Sequence, residues 1–227
     1  MTAFDDLDAV WFDLDGTLID SSEGIGRALT AALGEVLPGV EFERAVAPEI
    51  GPPMPRMLER LLPSRPEAHP DITRAFRRHY DQLGGWEGVA LYPGVVEAVE
   101  ALHVNGLRLD VITNKRSAPT AAILERLDLA RYFRAVISPD SADPLYENKA
   151  AALVALLQDS GLDPARVVYV GDTESDGLAA DCAGCGFVWV EWGFGAARGS
   201  FPEDGGSRSV SSPEDLTALL LSSGSRS

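Results

Sequence analysis

The chain is poor in basic residues, in cysteine and histidine, and in long apolar runs. Lys and Arg together number 19 against 35 Asp and Glu, so the formal net charge is −16. This acidity is spread along the chain and repels polyanions, which argues against nucleic acid as a partner. Most of the acidic surplus is of the kind that keeps a protein in solution.

Membrane and export signals are also missing from the sequence. No apolar run reaches the length of about 20 residues that a membrane helix needs. The first residues, MTAFDDLDAV, are acidic where a secretory signal is basic. We therefore expect a cytoplasmic protein without a membrane partner, and its oligomeric state, monomer or homodimer, stays open.

The two cysteines, Cys182 and Cys185, form a C-x-x-C pair, a spacing that also occurs in redox and metal sites. A zinc site would need further ligands, and the histidines (His69, His79 and His103) lie far away in the sequence. The stretch DCAGCG has the character of a helix end, whereas redox pairs open a helix. We expect small buried thiols in the last turn of a helix.

Short β-branched runs alternate with helical stretches through most of the chain. The runs are DAVWFDL, LRLDVIT, RAVIS, RVVYVG and GFVWVE, and the helical stretches are 94–104, 117–127, 149–160 and 176–183. Alternation of this kind is typical of parallel strands joined by right-handed helical crossovers. The predicted fold class is α/β, with a doubly wound parallel sheet.

The connection between the first two strands of this core is too long for a single crossover. It holds about ninety residues, whereas a crossover needs a dozen or more. Three apolar faces with helical spacing occur within it: Ile25, Leu29, Leu33 and Val36; Met57, Leu58, Leu61 and Leu62; Ile72, Phe76, Tyr80 and Leu83. We predict a small helical domain at 19–89, inserted into a catalytic core of 1–18 and 90–227, with linkers near Asp20 and Glu87.

The C-terminal part is less regular. After Glu191 the sequence loosens into WGFGAARGSFPEDGGSRS, which is rich in glycine and serine. The stretch SSPEDLTALLL then predicts a last short helix, because it opens with residues that favour a helix N-terminus.

Polar side chains follow several of the predicted strands. Asp13 and Asp15 are two residues apart, so both leave one side of the first strand at its carboxyl end, while Gly16 lets the backbone turn. The other strand ends bring Thr113 and Asn114, then Lys149 after a loop, and finally Asp172 and Asp176 in GDTESD. Ligands of open α/β sheets bind at this edge.

Each of these residues has an ordinary structural explanation on its own, since turns and helix caps use the same residue types. The set as a whole suits phosphoryl transfer to a carboxylate. An aspartate is ionised at neutral pH and can attack phosphorus without a separate base. Four ionised carboxylates and a phosphate dianion total −6, against +3 from Mg²⁺ and Lys149. We therefore predict a Mg²⁺ site and one protonated carboxyl group, for which Asp15 is suited as proton donor.

These motifs resemble those of the haloacid dehalogenase (HAD) superfamily of phosphohydrolases. FDLDGTLIDS is similar to its first motif, VITNK to its second, Lys149 to its third and VGDTESD to its fourth. YPGV, IGPPMPRML and AADCAGCGFVWVEWGFG resemble the phosphoglycolate phosphatase-like branch, in which a small helical cap is inserted. The segment ENKAAAL departs from the pattern of many relatives, which have proline after the lysine.

The resemblance implies a role for each matching residue. Asp13 would be the nucleophile and a metal ligand, and Asp15 the acid/base, which also binds the metal through its backbone carbonyl. Asp172 would be the second carboxylate ligand, and Asp176 would hold metal-bound water or the lysine. The phosphoryl oxygens would be bound by Thr113, Lys149 and the backbone amide of Asn114.

The predicted function is a Mg²⁺-dependent phosphatase that hydrolyses a small, phosphoglycolate-like metabolite through an aspartyl phosphate. A phosphosugar mutase of the same superfamily is the main alternative, and a phospho-accepting signalling module is the alternative from another class. A dehalogenase is disfavoured because that chemistry has no use for Asp15 or for Mg²⁺. Phosphoglycolate, sugar phosphates, nucleotides and pyrophosphate all stay open as substrates, and Arg27 and Arg56 could each bind a second anionic group.

Overall fold

A computed structural model describes residues 4, 6–39, 46, 50–51, 53–197 and 207–222. The strands are β1 Ala9–Phe12, β2 Ile19–Asp20, β3 Ala90–Leu91, β4 Arg108–Ile112, β5 Ala135–Ile137, β6 Val167–Gly171, β7 Gly186–Val190 and β8 Ser207–Val210. The α-helices are α1 Ser22–Val36, α2 Met54–Leu61, α3 His69–Arg77, α4 Val95–Val104, α5 Ser117–Arg126, α6 Lys149–Ser160, α7 Glu174–Ala183 and α8 Pro213–Leu221. Within these described ranges, no helix combines the length and the apolar composition that a membrane span requires.

The chain divides into two compact units, 1–19 with 91–227, and 20–90. At the division the chain runs through the short strands β2 and β3, which pair with each other.

The larger unit contains a parallel sheet. Over the described residues its strand order is β5-β4-β1-β6-β7-β8, and every neighbouring pair runs parallel. The predicted α/β class, its doubly wound sheet and the five predicted strands are confirmed. The four crossover helices begin and end within two residues of their predicted bounds.

The alternation of β1 explains why helices cover both faces of this sheet. Trp11 and Phe12 are both buried, and as neighbours in a strand they point to opposite faces. Trp11 belongs to a core cluster with Leu153 of α6 and Ala180 of α7. Phe12 lines a small apolar cavity with Val95 of α4 and Leu216 of α8. One strand therefore holds two helical layers together through consecutive side chains.

The sheet extends one strand further than the sequence predicts. The loose stretch after Glu191 contains β8, which pairs with β7 from Phe187↔Ser207 to Val190↔Val210. In β8 only Val210 is buried, and the other three residues are polar and partly or fully exposed. An edge strand of this composition lacks the apolar alternation by which strands are predicted. The predicted final helix is present as α8, and the Ser212 side chain caps it.

The smaller unit is helical over its described residues. Leu29 and Leu33 of α1, Leu58 of α2 and Ile72 of α3 lie in one core cluster. The third predicted face is wrong at one position: Leu83 is 65% exposed. The regular α-helix stops at Arg77 and a π-helical turn follows at Arg78–Gln82, which shifts the residues after it out of the helical spacing.

The C-x-x-C cysteines differ from the prediction in two respects, one at each position. Cys185 is buried, and burial raises the pKa of its thiol to about 12. Cys182, in the last turn of α7, is exposed rather than buried. Cys185 lies two residues beyond the helix end at Ala183, so neither cysteine combines burial with a place in the last turn.

Candidate active site

The end of β1 places Asp13 in the centre of the sheet edge. The backbone amide of Asp13 donates to Val170 O of β6 at 2.9 Å, which extends the ladder by one residue past Phe12. The chain then turns tightly, because the Leu14 carbonyl accepts from the amides of Leu18 and Ile19. Gly16 has φ +86°, and a Cβ there would overlap the carboxylate of Asp172. The glycine therefore permits both the turn and the close approach of Asp172.

Asp172 and Asp176 are brought in by β6 and by the first turn of α7. Thr173 caps this helix in a capping box, in which Asp176 Oδ2 accepts from the Thr173 amide at 3.0 Å and from its hydroxyl at 2.6 Å. The helix starts two residues before the predicted Asp176. Because Oδ2 of Asp176 is fixed by Thr173 in this capping box, the other oxygen of that carboxylate is directed to a fixed point.

That second oxygen meets Lys149, the first residue of α6. Lys149 Nζ lies 2.5 Å from Asp176 Oδ1 and 2.9 Å from Asp13 Oδ1. All three side chains are buried, so water screens these ion pairs weakly. The Asn148 side chain caps α6 by accepting from Ala151 N, which fixes the helix turn that carries the lysine.

Carboxylate oxygens of Asp13, Asp172 and Asp176 all lie within 4.8 Å of one another. An all-oxygen set of buried carboxylates is of the type that Mg²⁺ binds in proteins. Both carboxylate oxygens of Asp176 already accept hydrogen bonds, one from Lys149 and one from Thr173. Asp13 and Asp172 are therefore better placed than Asp176 to bind a cation. The residues present therefore fit Mg²⁺, with Asp176 as the residue that holds the lysine.

Burial has large effects on these ionisable groups. It raises the pKa of Asp13 to about 7; Lys149 opposes the rise, while Asp176 and Asp15 add to it. Burial also raises the pKa of Asp172 well above its ordinary value, with Asp176 and Asp13 contributing. For Lys149, burial disfavours the ammonium, but Asp13 and Asp176 raise its pKa well above the usual range. The cluster therefore has more carboxylate than its lysine can neutralise, which favours a bound cation.

The next strand, β4, ends beside this cluster. Thr113 is 4% exposed; its amide donates to Ile137 O at 3.0 Å, and its hydroxyl accepts from Lys115 N at 3.1 Å. Asn114 lies between them and is exposed. Thr113 and the backbone amides that follow it therefore lie at the carboxyl edge of the sheet, next to the end of β1, where Asp13 lies.

Asp15 is not one of the three grouped carboxylates, and its ion-pair partner is a residue that the sequence did not predict. Its Oδ1 lies 3.1 Å from Lys115 Nζ, and the two side chains are 21% and 6% exposed. The chain has only two lysines, Lys115 and Lys149, and the structure pairs each with one aspartate of the DLD stretch. The scarcity of lysine against 17 arginines was a signal that could have identified Lys115.

Comparison with known proteins identifies the family. The family model described as "Haloacid dehalogenase-like hydrolase" matches residues 10–190. The chain belongs to this family. A curated phosphoglycolate phosphatase of Escherichia coli (strain K12) is 33% identical over 218 residues, covering 86% of this chain and 85% of that protein.

Solved structures agree with this assignment. A predicted phosphatase of Clostridium acetobutylicum is 25% identical, with a TM-score of 0.81 and coverage of 95% of this chain and 99% of that one. The Mycobacterium tuberculosis Protein Tyrosine Kinase A is 27% identical, with a TM-score of 0.74 and coverage of 95% and 99%. The predictions of the HAD superfamily, of its phosphoglycolate phosphatase branch and of a phosphatase enzyme are confirmed.

In this HAD hydrolase, the segment after β7 is a second feature that the sequence analysis left without a role. Gly195 N donates to Asp172 Oδ2 at 3.1 Å, and Trp192 Nε1 donates to Thr17 O at 3.0 Å. The segment therefore touches both the turn after β1 and the carboxylate after β6.

The two arginines considered for substrate binding lie in the smaller unit of the hydrolase. Arg27 forms an ion pair with Glu23 at 2.5 Å, and its side chain is 57% exposed. Arg56 is exposed on α2. Binding of a second anionic group by either residue stays a prediction.

Proposed function

We propose that the protein is a Mg²⁺-dependent phosphatase that hydrolyses a small phosphorylated metabolite through an aspartyl phosphate. One observation carries this proposal: Lys149 bridges Asp13 and Asp176 inside a buried group of three carboxylates. The arrangement holds one carboxylate beside a cation, at the end of a strand, with Thr113 close by on the neighbouring strand. A phosphoryl group is the substrate group that this mixture of charges and donors suits.

The first chemical step is attack by Asp13. A lone pair of its carboxylate oxygen forms the new bond to phosphorus while the bond from phosphorus to the leaving oxygen breaks. Lys149, the Thr113 hydroxyl and the amide of Asn114 would donate to the phosphoryl oxygens and hold phosphorus in line with Asp13. Asp176 keeps the lysine in place, because its two oxygens are fixed by Lys149 and by the helix cap.

Asp15 moves the proton in both half-reactions. Its carboxyl group gives a proton to the leaving oxygen, so the product departs as an alcohol. The resulting carboxylate then takes a proton from water, whose oxygen attacks phosphorus and releases phosphate from Asp13. The acid and base roles therefore belong to one residue at successive stages.

The cofactor in this proposal is Mg²⁺, with Asp13, Asp172 and the backbone carbonyl of Asp15 as its ligands. Bound there, it would offset the charge of the carboxylates and of the incoming phosphate. Lys115 adds one positive charge to the +3 that the sequence analysis counted from Mg²⁺ and Lys149. With both lysines and Mg²⁺ counted, the four aspartates are formally balanced before substrate binds. The negative charge brought by substrate would then be what favours a protonated Asp15.

For the substrate we propose a small phosphorylated metabolite of the phosphoglycolate kind, on the strength of the Escherichia coli relative. The helical unit of residues 20–90 would act as the cap that excludes water during turnover. This role follows from its insertion between β1 and β4 and from the resemblance of IGPPMPRML to the cap segment of the branch.

The decisive experiment compares wild type with Asp13→Asn on a panel of phosphorylated metabolites, scored by released phosphate with and without Mg²⁺. Asp13→Asn removes the nucleophilic oxygen while keeping the size of the side chain. We expect phosphate release by wild type only with Mg²⁺, and none above background by the variant, with unchanged circular dichroism. Hydrolysis by the variant at the wild-type rate would refute the mechanism.

The same panel separates the other reactions. A mutase would return the phosphoryl group to a sugar hydroxyl and release little phosphate. Incubation with ATP and a tyrosine peptide is included because one structural relative is named a protein tyrosine kinase. We expect no transfer to the peptide, since the proposed intermediate on Asp13 is resolved by water.

A further inference from the structure

We infer that the segment 192–195, Trp-Gly-Phe-Gly, is a positioning element that orients the Asp172 carboxylate for the cation. The inference rests on the proposed function, because it concerns the same Mg²⁺ site. It adds a segment for which neither the motifs nor the mechanism gave a role.

The first argument is the contact with the carboxylate itself. Gly195 N donates to Asp172 Oδ2 at 3.1 Å, and both residues are buried. On the other side, the Thr17 hydroxyl lies 3.5 Å from Asp172 Oδ1, a long and weak contact. The backbone amide is therefore the stronger of these two contacts, and it comes from the segment.

The second argument is steric. A Cβ at Gly195 would overlap the backbone oxygen of Asp172. A Cβ at Gly193 would overlap the Cβ of Asp172 and the backbone oxygen of Gly16. Neither glycine has a φ in the left-handed region, so backbone conformation does not require glycine at these two positions. The requirement is space: the segment is packed directly against Asp172 and the turn after β1.

The third argument is how the segment is anchored. Trp192 Nε1 donates to Thr17 O at 3.0 Å, within the turn that follows Asp13 and Asp15. Thr17 is 1% exposed and Trp192 is half-buried, so this bond is partly buried. The segment thus joins the turn that follows Asp13 and Asp15 to the strand end that carries Asp172. Partners that orient metal-binding side chains commonly change metal affinity by about ten- to a hundredfold when they are lost.

The test measures cation binding without substrate. Wild type, Gly195→Ala, Trp192→Phe and the control Gly34→Ala are titrated with Mn²⁺, and the unbound ion is counted by electron paramagnetic resonance. Gly34 is a matched control because it is exposed in α1 and a Cβ there meets nothing within 4 Å. We expect Gly195→Ala and Trp192→Phe to raise the Mn²⁺ dissociation constant by about tenfold, and Gly34→Ala to leave it unchanged.

Trp192→Phe keeps the test sharp if Gly195→Ala fails to fold, because it removes one N–H donor and keeps an aromatic ring. A positioning role also predicts that excess Mg²⁺ restores the kcat of Trp192→Phe, which a general loss of structure would not allow. Wild-type affinity in Trp192→Phe would overturn the inference and leave the proposed function standing. A wild-type protein that binds no Mn²⁺ would overturn both.

Discussion

At the scale of single residues, the two lysines form ion pairs with different aspartates of the DLD stretch, residues 13–15. Lys149 contacts Asp13 and Asp176, while Lys115 contacts Asp15. Each aspartate thus has its own cation, and the carboxylate of Asp15 is kept outside the group formed by Asp13, Asp172 and Asp176. Two neighbouring aspartates can therefore take different roles because different cations hold them.

We predict that Lys115→Met lowers kcat by at least about tenfold with a smaller effect on KM. The substitution leaves the Asp15 carboxylate without its ion pair, so its orientation toward the leaving oxygen is lost, and positioned proton transfer contributes about a hundredfold or more to such reactions. Steady-state kinetics at saturating Mg²⁺ measure the effect. Arg126→Met is the control, since it removes one positive charge from an exposed position on α5. An unchanged kcat would exclude a role for Lys115 in the reaction.

The periodicity of the sequence could predict the aspartates but not Lys115, for which only the scarcity of lysine gives a signal. Alternation in β1 gives Asp13 and Asp15 the same side, and strand ends give the positions of Thr113 and Asp172. A residue three positions into a loop, such as Lys115, has no such periodicity. Its side-chain direction depends on tertiary contacts that no local pattern encodes.

At the scale of secondary structure, helix starts place two of the site residues. Lys149 is the first residue of α6, and Asp176 lies in the first turn of α7 as part of its cap. The predicted bounds of these helices were close because helical composition and apolar spacing mark them in the sequence. The strand β8 had no comparable mark, since its pairing with β7 uses backbone groups and one buried valine.

A matched pair of cap substitutions separates the structural from the functional part of these helix starts. Thr173→Ala and Ser212→Ala each remove a side chain that caps a helix, so each should lower the free energy of unfolding by about 1 kcal/mol. Thr173→Ala should also reduce kcat, because Asp176 loses one of the bonds that direct it to Lys149. Urea unfolding and phosphate-release kinetics on both variants test this. Equal kcat values for Thr173→Ala and wild type would contradict the proposed coupling.

At the scale of the whole molecule, the insertion between β1 and β4 could be predicted because its length exceeds what a crossover needs. The apolar faces of its three helices could also be predicted from the spacing of apolar residues, except at Leu83, which follows the π-helical turn. The two units each have their own apolar core, and the site residues Asp13, Asp172, Asp176 and Lys149 all belong to the larger unit. The charge of this site therefore bears first on the stability of the larger unit.

We predict that the metal-free protein loses stability as the pH rises from about 4 toward 7. Burial raises the pKa of Asp13 from 3.8 to about 7, so between these values the folded state holds a proton that the unfolded state has released. Stability then falls with rising pH, by at most about 1.4 kcal/mol per pH unit for each such proton. Asp172, whose pKa is also raised, changes stability in the same direction. Lys149 stays charged in both states over this range and adds no slope.

Mg²⁺ should reverse this trend, because it binds ionised carboxylates and competes with protons for them. Thermal unfolding of wild type and Asp13→Asn, each followed from pH 5 to pH 8 with EDTA or with Mg²⁺, measures both effects. We expect Mg²⁺ to raise the melting temperature of wild type more at pH 8 than at pH 5. In EDTA, Asp13→Asn should show the shallower pH dependence, since an amide does not titrate. A wild-type melting temperature in EDTA that stays level from pH 5 to pH 7 would mean that Asp13 is ionised in the folded state over this range, held by Lys149, and that the buried cluster does not need a cation to hold its charge.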